Sequence, residues 1–299
     1  MRFADQYLAQ LEAFAALGPL PRVRALHLPP GRFATDNRGE FCALELEDGS
    51  IGLSFVLLED TLERLLDGAE GLGLAGADAL ALARRYASDS GIWKTLGFAA
   101  ANALTRRFYD QAGFRPDNSS DSIGHLNPQP GEHIGMIGKF TSLLRRISDS
   151  GARLTIVELN PELVGEQDGY QVTLDPEQLS DCSKVVSTST LLLNDTLERM
   201  LACCRNARWF AMVGPGAACL PDALFARGVT LLGGSWINDG QGFTAALRSG
   251  ESPGAFASKS ALTADSYPGF DALLARASAA RNSANAYGIL GTSSSSSDF

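Results

Sequence analysis

The sequence predicts an α/β protein in two parts, an α+β unit followed by a mainly parallel, three-layer domain. Three observations predict it. Strands come early and in a local group, with helices on either side. Beyond residue 132, short apolar strands alternate with helices. Between the two runs lies a polar stretch, 115–132, broken by Pro116, Pro128 and Pro130. Alternation of strand and helix implies parallel pairing, because each crossover must carry the chain back to the same sheet edge. A length of 299 residues, about twice a common domain size, suits two domains. The expected division is 1–115, a linker 116–132, a second domain 133–290 and a flexible tail 291–299 rich in serine.

Taken in order, residues 2–17 place Phe3, Tyr7, Leu8, Leu11 and Phe14 at helical spacing, and Gly18-Pro19 ends the helix. Residues 22–28 alternate as a strand does. Residues 40–47 and 51–58 flank Asp48-Gly49-Ser50, a hairpin signal. Asp60-Thr61-Leu62-Glu63 reads as a capping box opening a helix. Further helices are expected over 78–86 and 91–109. The first unit is therefore α–βββ–ααα, with helices covering one face of a small antiparallel sheet. The heptapeptide 60–66 recurs in altered form at 195–201, and two similar helix starts explain it better than an internal repeat.

In the second part, strands are expected at 133–138, 153–157, 184–188, 209–213 and 229–232. Helices are expected over 140–150, through Leu197, Met200 and Leu201, and over 270–286; the segment 253–268 reads as irregular. Short strands of unbroken apolar character are buried on both faces, which is the Rossmann-like arrangement.

Composition narrows the function. Lys plus Arg number 25 against 34 Asp plus Glu, a net charge of −9, which disfavours nucleic acid as a partner. No apolar run reaches the roughly 18 residues that cross a bilayer, so no membrane partner is expected. The N-terminus reads as an amphipathic helix rather than a secretory signal. The five cysteines, Cys42, Cys182, Cys203, Cys204 and Cys219, show no CxxC spacing, so reduced thiols and a cytoplasmic location are expected. His125 and His133 lack the partners a structural zinc site needs. No GxSxG motif and no Ser/His/Asp or Cys/His set is evident.

A parallel sheet gathers its strand-to-helix loops along one edge. The loops expected there are Gly138-Lys139-Phe140, Glu158-Leu159-Asn160-Pro161, Ser187-Thr188-Ser189-Thr190, Gly214-Pro215-Gly216-Ala217 and Gly233-Gly234-Ser235-Trp236. Small residues admit a ligand to the backbone, and free amides at helix starts favour anions. Lys139 adds a positive charge suited to a carboxylate or phosphate. Gly135-Met136-Ile137-Gly138 is not a dinucleotide fingerprint, yet Glu158 lies 20 residues beyond Gly138, where an acid often holds a ribose hydroxyl. Thr188, Ser189, Thr190 and Asn194 exceed what one helix cap uses. The expected ligand set is Gly138, Lys139, Asn160, Thr188, Ser189, Thr190, Asn194, Gly214, Pro215 and Gly216, with Glu158 as the general-base candidate. Ile134-Gly135-Met136-Ile137-Gly138-Lys139-Phe140, the stretch 155–161, Ser187 through Glu198, Gly214-Pro215-Gly216-Ala217 and 228–234 together resemble the heavy-metal-chelation family of unknown function.

Gly97-Phe98-Ala99-Ala100-Ala101-Asn102-Ala103-Leu104 is similar to a helix of that family's companion domain, which has an enolase N-terminal-like fold. The resemblance implies an active site between the domains that brings Asn102 toward Glu158, Asn160, Thr188, Thr190, Asn194 and Gly214, with Asn102 joining Glu158 as a catalytic candidate. Ser187, Ser189, Gly216 and Lys139 depart from the family's pattern.

Three functions remain open. The first is binding of a small polar or anionic molecule, a metal chelator or its precursor, in a cleft between the domains, with or without catalysis on a metallophore or cofactor pathway. The second is an enzyme dependent on a nucleotide or S-adenosylmethionine. The third is a non-catalytic metal-handling protein. The cofactor stays undetermined between a divalent metal and a nucleotide-type ligand. A homodimer is the default assembly.

Overall fold

The computed structural model describes residues 1–31, 40–119 and 126–290. His125 and the serine-rich tail lie outside the described residues. Helix α1 (Phe3–Ala15) buries Phe3, Tyr7, Leu8, Leu11 and Phe14, the face its spacing predicts. Strands β1 (Val23–His27), β2 (Phe41–Leu46) and β3 (Ile51–Phe55) form an antiparallel meander, with an irregularity in β1 between Val23 and Ala25. Helices α2 (Thr61–Gly68), α3 (Ala79–Ser88) and α4 (Gly91–Gln111) follow. This is the expected α–βββ–ααα order of an α+β unit.

Helix α4 is buried along most of its length because it serves two surfaces. Its run Ala99, Ala100, Ala101 and Ala103 presents almost no side chain, so β3 can lie directly on it. The contact is so close that a Cβ at Gly52 would stand 2.1 Å from both the Ala99 oxygen and the Ala103 nitrogen. Only glycine fits there.

The second part is a nine-stranded sheet. In chain order its elements are β4 (Asp117–Asn118), β5 (His133–Ile137), α5 (Thr141–Ser148), β6 (Arg153–Val157), β7 (Gly165–Gln167) and β8 (Tyr170–Thr173). There follow β9 (Lys184–Thr188), α6 (Leu197–Cys203), β10 (Trp209–Val213), α7 (Asp222–Phe225), β11 (Leu231–Ile237), α8 (Gly240–Ser249), β12 (Ala257–Thr263) and α9 (Phe270–Leu290). The spatial order is β4-β12-β11-β10-β9-β5-β6-β8-β7. Its six parallel strands, β5, β6, β8, β9, β10 and β11, counted in chain order, stand as 3-2-1-4-5-6. That is the Rossmann order, and its direction of winding reverses between β5 and β9.

Alternation along the strands divides the core. Ile134, Met136, Leu154, Ile156, Val186, Ala211 and Val213 face Leu143 and Ile147 of α5. Ile137, Val157, Val185, Phe210, Met212 and Leu232 face the other way. There they join α6, α7 and the helices of the first part in one continuous apolar cluster. Polar ties reinforce the junction: the Tyr86 hydroxyl donates to the Leu192 carbonyl at 2.6 Å, and Arg106 donates to the Ile237 carbonyl at 2.8 Å.

Several sequence expectations need correction. Asp60 does not cap α2 with its side chain; its backbone (φ −98°, ψ 20°) is not extended, and its carboxylate stands 3.8 Å from Arg64 instead. Gly233-Gly234-Ser235-Trp236 is not a loop but the second half of β11. Antiparallel pairing with β12, from Gly233 opposite Ala261 to Ile237 opposite Ala257, extends the strand. The segment 253–268, expected irregular, supplies that partner. Within the stretch 116–132, Asp117 and Asn118 pair with Ala261 and Ser260. The hairpin β7–β8, absent from the expected elements, adds a parallel neighbour to β6 and the outer strand of the sheet.

Candidate functional site

The winding reversal between β5 and β9 leaves a gap that no crossover covers, and a cavity of about 470 Å³ lies there. Register explains why its polar residues meet. Ile137 stands opposite Val157 on β6 and Ser187 on β9, so the residues just beyond, Gly138, Glu158 and Thr188, emerge at one level. Gly138 turns the chain out of β5 at φ +80°, and its amide donates to the Val157 carbonyl at 3.0 Å. A Cβ here would combine that unfavourable φ with a 3.2 Å approach to the Thr188 methyl.

Gly138, Lys139, Glu158, Asn160, Thr188, Thr190 and Asn194 all line this cavity. Some of their bonding capacity is used locally. Glu158 accepts the Lys139 amide at 2.5 Å and the Leu159 amide at 3.2 Å, so its carboxylate fastens the two loops to each other. The Thr188 and Thr190 hydroxyls are 2.9 Å apart, and the Thr190 amide donates to the Thr188 hydroxyl at 3.2 Å. Asn160 accepts the Glu162 amide at 3.0 Å, and Asn194 accepts the Thr196 hydroxyl at 2.6 Å. Among the described residues, both asparagines bind through Oδ1 alone, which leaves their amide N–H groups for other use. The Lys139 ammonium stands 5.3 Å from the centre of the Tyr170 ring, held over the β8 side of the cleft.

Five expected site residues are not in this lining. Asn102 is 2% exposed, and its amide is consumed inside the protein. Its Oδ1 accepts the Tyr7 hydroxyl at 2.9 Å, and its Nδ2 donates to the Leu53 carbonyl at 2.9 Å. It borders a separate void of about 40 Å³, with Tyr109, Cys219 and Ser235. Ser189 is buried beneath the next turn: Cβ atoms at Gly214 and Gly216 would lie 2.5 and 3.1 Å from its hydroxyl. Gly216 also backs onto the Phe98 ring, 2.9 Å from where its Cβ would be. Gly214 and Pro215 border a second pocket of about 220 Å³, with Phe140 as the shared wall.

Sequence reasoning missed the apolar wall. Phe55, Leu57 and Leu58 at the end of β3, and Phe140, Leu159, Leu191 and Met200 from the second part, all line the cavity. One signal was readable. Phe55-Val56-Leu57-Leu58 stays apolar where a strand with one solvated face should alternate.

Among the described residues, the donors do not fit a heavy metal held by thiolate or imidazole. Among the described residues, no group of three His, Cys, Asp or Glu side chains is placed to hold an ion. All five thiols are buried, and burial pushes those of Cys42, Cys182, Cys204 and Cys219 up to about 12, which keeps them protonated. Arg153 donates to the His133 Nδ1 at 2.7 Å, and the other ring nitrogen meets the Thr155 hydroxyl at 2.9 Å, so neither nitrogen is offered to a metal.

Comparison with known proteins decides the family. Two family models, both described as "Putative heavy-metal chelation", match residues 39–105 and 121–264. The chain belongs to that family. A crystal structure of a protein of unknown function from the DUF364 family of Pyrococcus horikoshii covers 86% of this chain and 99% of its own, at 17% identity and a TM-score of 0.60. A second, from Desulfitobacterium hafniense, covers 88% and 100% at 18% identity and a TM-score of 0.61. At such identities they show the shared fold. An uncharacterized protein of Methanocaldococcus jannaschii is 27% identical over 150 residues, which make up 49% of this chain and 55% of the relative. The chain thus spans about half the length of that curated relative. No described helix is long and apolar enough to cross a membrane.

Proposed function

We propose that the cleft at the β5–β9 reversal binds a small anionic molecule with metal-chelating chemistry, or its precursor. The carrying observation is that Gly138, Lys139, Asn160, Thr188, Thr190 and Asn194, drawn from three loops, line one cavity of small-molecule size. The Lys139 ammonium would take the anion. The hydroxyls and the amides of Asn160 and Asn194 would bond its polar edges, and the Glu158 carboxylate would accept from a hydroxyl or amine. The donor set supports cargo rather than a resident ion: a heavy metal would arrive already ligated by the organic molecule. A ligand proton within hydrogen-bond reach of the Glu158 carboxylate would make that residue a general base.

The test is native mass spectrometry of the protein as purified, with elemental analysis of the same sample. The reading requires a non-covalent adduct below about 1 kDa that Lys139→Met loses, with any metal present in proportion to the adduct. Metal retained at one per chain without an organic adduct would overturn it in favour of metal handling by the protein itself.

The strand order favours one second reading, a nucleotide or S-adenosylmethionine site. The reversal point is where such cofactors bind on this topology, and Glu158 ends the second parallel strand. Against it, Lys139-Phe140 replace the glycines that would admit a pyrophosphate. A rise in Tm with adenosine nucleotides or S-adenosylmethionine, and not with other anions, selects this reading.

A further inference from the structure

We propose that the molecule held in this cleft is an aromatic anion. This rests on the reading of the cleft given above and narrows it to a substrate class. The cavity has a polar wall and an apolar wall. Lys139, Asn160 and the threonines stand along the sheet edge. Phe55, Leu57 and Leu58 come from the first part, off the end of β3, and Phe140 and Leu159, beside Lys139 and Glu158 on the sheet-edge loops, complete the apolar surface.

Among the described residues, nothing fully covers that apolar wall. Phe55, Leu57, Leu58 and Phe140 are only partly buried, and Leu159 is 69% exposed. Open apolar surface beside a cation forfeits roughly 25 cal/mol for each Å² left in water. A wholly hydrophilic anion seated here would give up hydration against the leucines and gain no hydrogen bond for it. A ligand with one apolar and one anionic end satisfies both walls. Two of the apolar groups are rings from opposite parts of the chain. Phe55 leans edge-on against Phe41 at 6.0 Å between centroids, which fixes its face. A flat ring stacks or packs edgewise on such surfaces with little loss of conformational freedom.

The experiment uses the full chain and 8-anilinonaphthalene-1-sulfonate, a fluorescent aryl sulfonate, as the probe. One probe per chain is expected to bind. Benzoate and 2-hydroxybenzoate should displace it at concentrations about tenfold or more below those needed for acetate or inorganic phosphate, a difference of about 1.4 kcal/mol. An unchanged near-ultraviolet circular dichroism spectrum distinguishes binding in the cleft from uptake by a loosened fold. Lys139→Met should weaken all anions, whereas Leu58→Asn and Leu159→Asn should weaken the aromatic acids alone, about threefold or more. Leu159 is exposed, so its variant keeps the test valid if Leu58→Asn does not fold. Equal displacement by acetate or phosphate would overturn the aromatic class and leave the anion site standing. Failure of all four to displace the probe or raise Tm would overturn both.

Discussion

Asn102 and Thr188 are both polar residues near the junction of the two sheets, but their surroundings differ in kind. Around Asn102 the junction closes to a void of about 40 Å³, and the amide is bonded to Tyr7 and Leu53. Around Thr188 it opens to about 470 Å³, and among the described residues the asparagine amides along the same rim keep N–H donors to spare. The closed region follows from backbone contact, Gly52 against the alanines of α4. The open region follows from topology, since opposite winding on the two sides of the β5–β9 boundary leaves nothing to fill the gap. A polar residue at a junction therefore signals a site only where its bonding capacity exceeds what the protein uses.

The largest expected effect sharpens the closed side. Gly52→Ala places a carbon against two backbone atoms that no rotamer can move, and should cost about 3 kcal/mol or more. Denaturant unfolding followed by circular dichroism measures it, and a cost below about 1 kcal/mol would show that the junction yields. Next, Asn102→Ala takes a donor from the Leu53 carbonyl and leaves the Tyr7 hydroxyl with Thr105 alone. It should destabilise by about 1–3 kcal/mol while leaving probe affinity unchanged. Lys139→Met is its mirror, weakening the probe with little change in Tm. Loss of probe binding in Asn102→Ala at a temperature where it stays folded would break the comparison.

A smaller effect concerns the loop that carries Thr190 and Asn194 into the cleft. Asp195 sits at φ +59° and pairs at 2.5 Å with Lys94, whose side chain is only 12% exposed. Asp195→Ala should cost up to about 1 kcal/mol, because a half-sheltered ammonium loses its partner. Asp60→Ala, which breaks an exposed pair one helical turn apart, should cost less than about 0.5 kcal/mol. Urea titration of the two variants side by side compares them.

The smallest is a pH effect remote from the cleft. His133 has its pKa held below the ordinary 6.5, first by burial and then by Arg153. As pH falls through that value the unfolded chain takes up a proton that the folded chain does not, so stability drops. Scans of Tm from about pH 7.5 to 5.5 should show a drop that His133→Gln lessens, with probe affinity moving equally in both proteins.

Much of this was legible in the residues. The helix periods, the meander and the alternating buried strands fix the two sheets, because burial on one face or two dictates the apolar pattern. What was not legible depended on partners distant in the chain. The second half of β11 reads as a glycine-rich loop until β12 arrives to bond it. Strands of three and four residues, as in β7 and β8, carry too few positions to show a period. The recurring heptapeptide makes the same point. Asp60 and Asp195 precede similar residues, yet one pairs within its own helix and the other bonds a lysine 101 positions away. At the site, strand ends could be listed from sequence, but only register shows that Gly138, Glu158 and Thr188 share a level. Nothing local could reveal that Asn102 is bonded on both sides.

The apolar cluster that runs without interruption from Phe3 through Phe98 to Met212 and Leu232 limits how the two halves can move against each other. Hinged enzymes swing open along a plane where few side chains interlock. Here interdigitated rings and methyls cross that plane, and rotating one half against the other would tear them apart. Motion at the cleft is then left to the rim, to rotamer hops of Leu58 and Leu159 and small excursions of the turns on a scale of roughly nanoseconds to microseconds, rather than to slow rocking of halves.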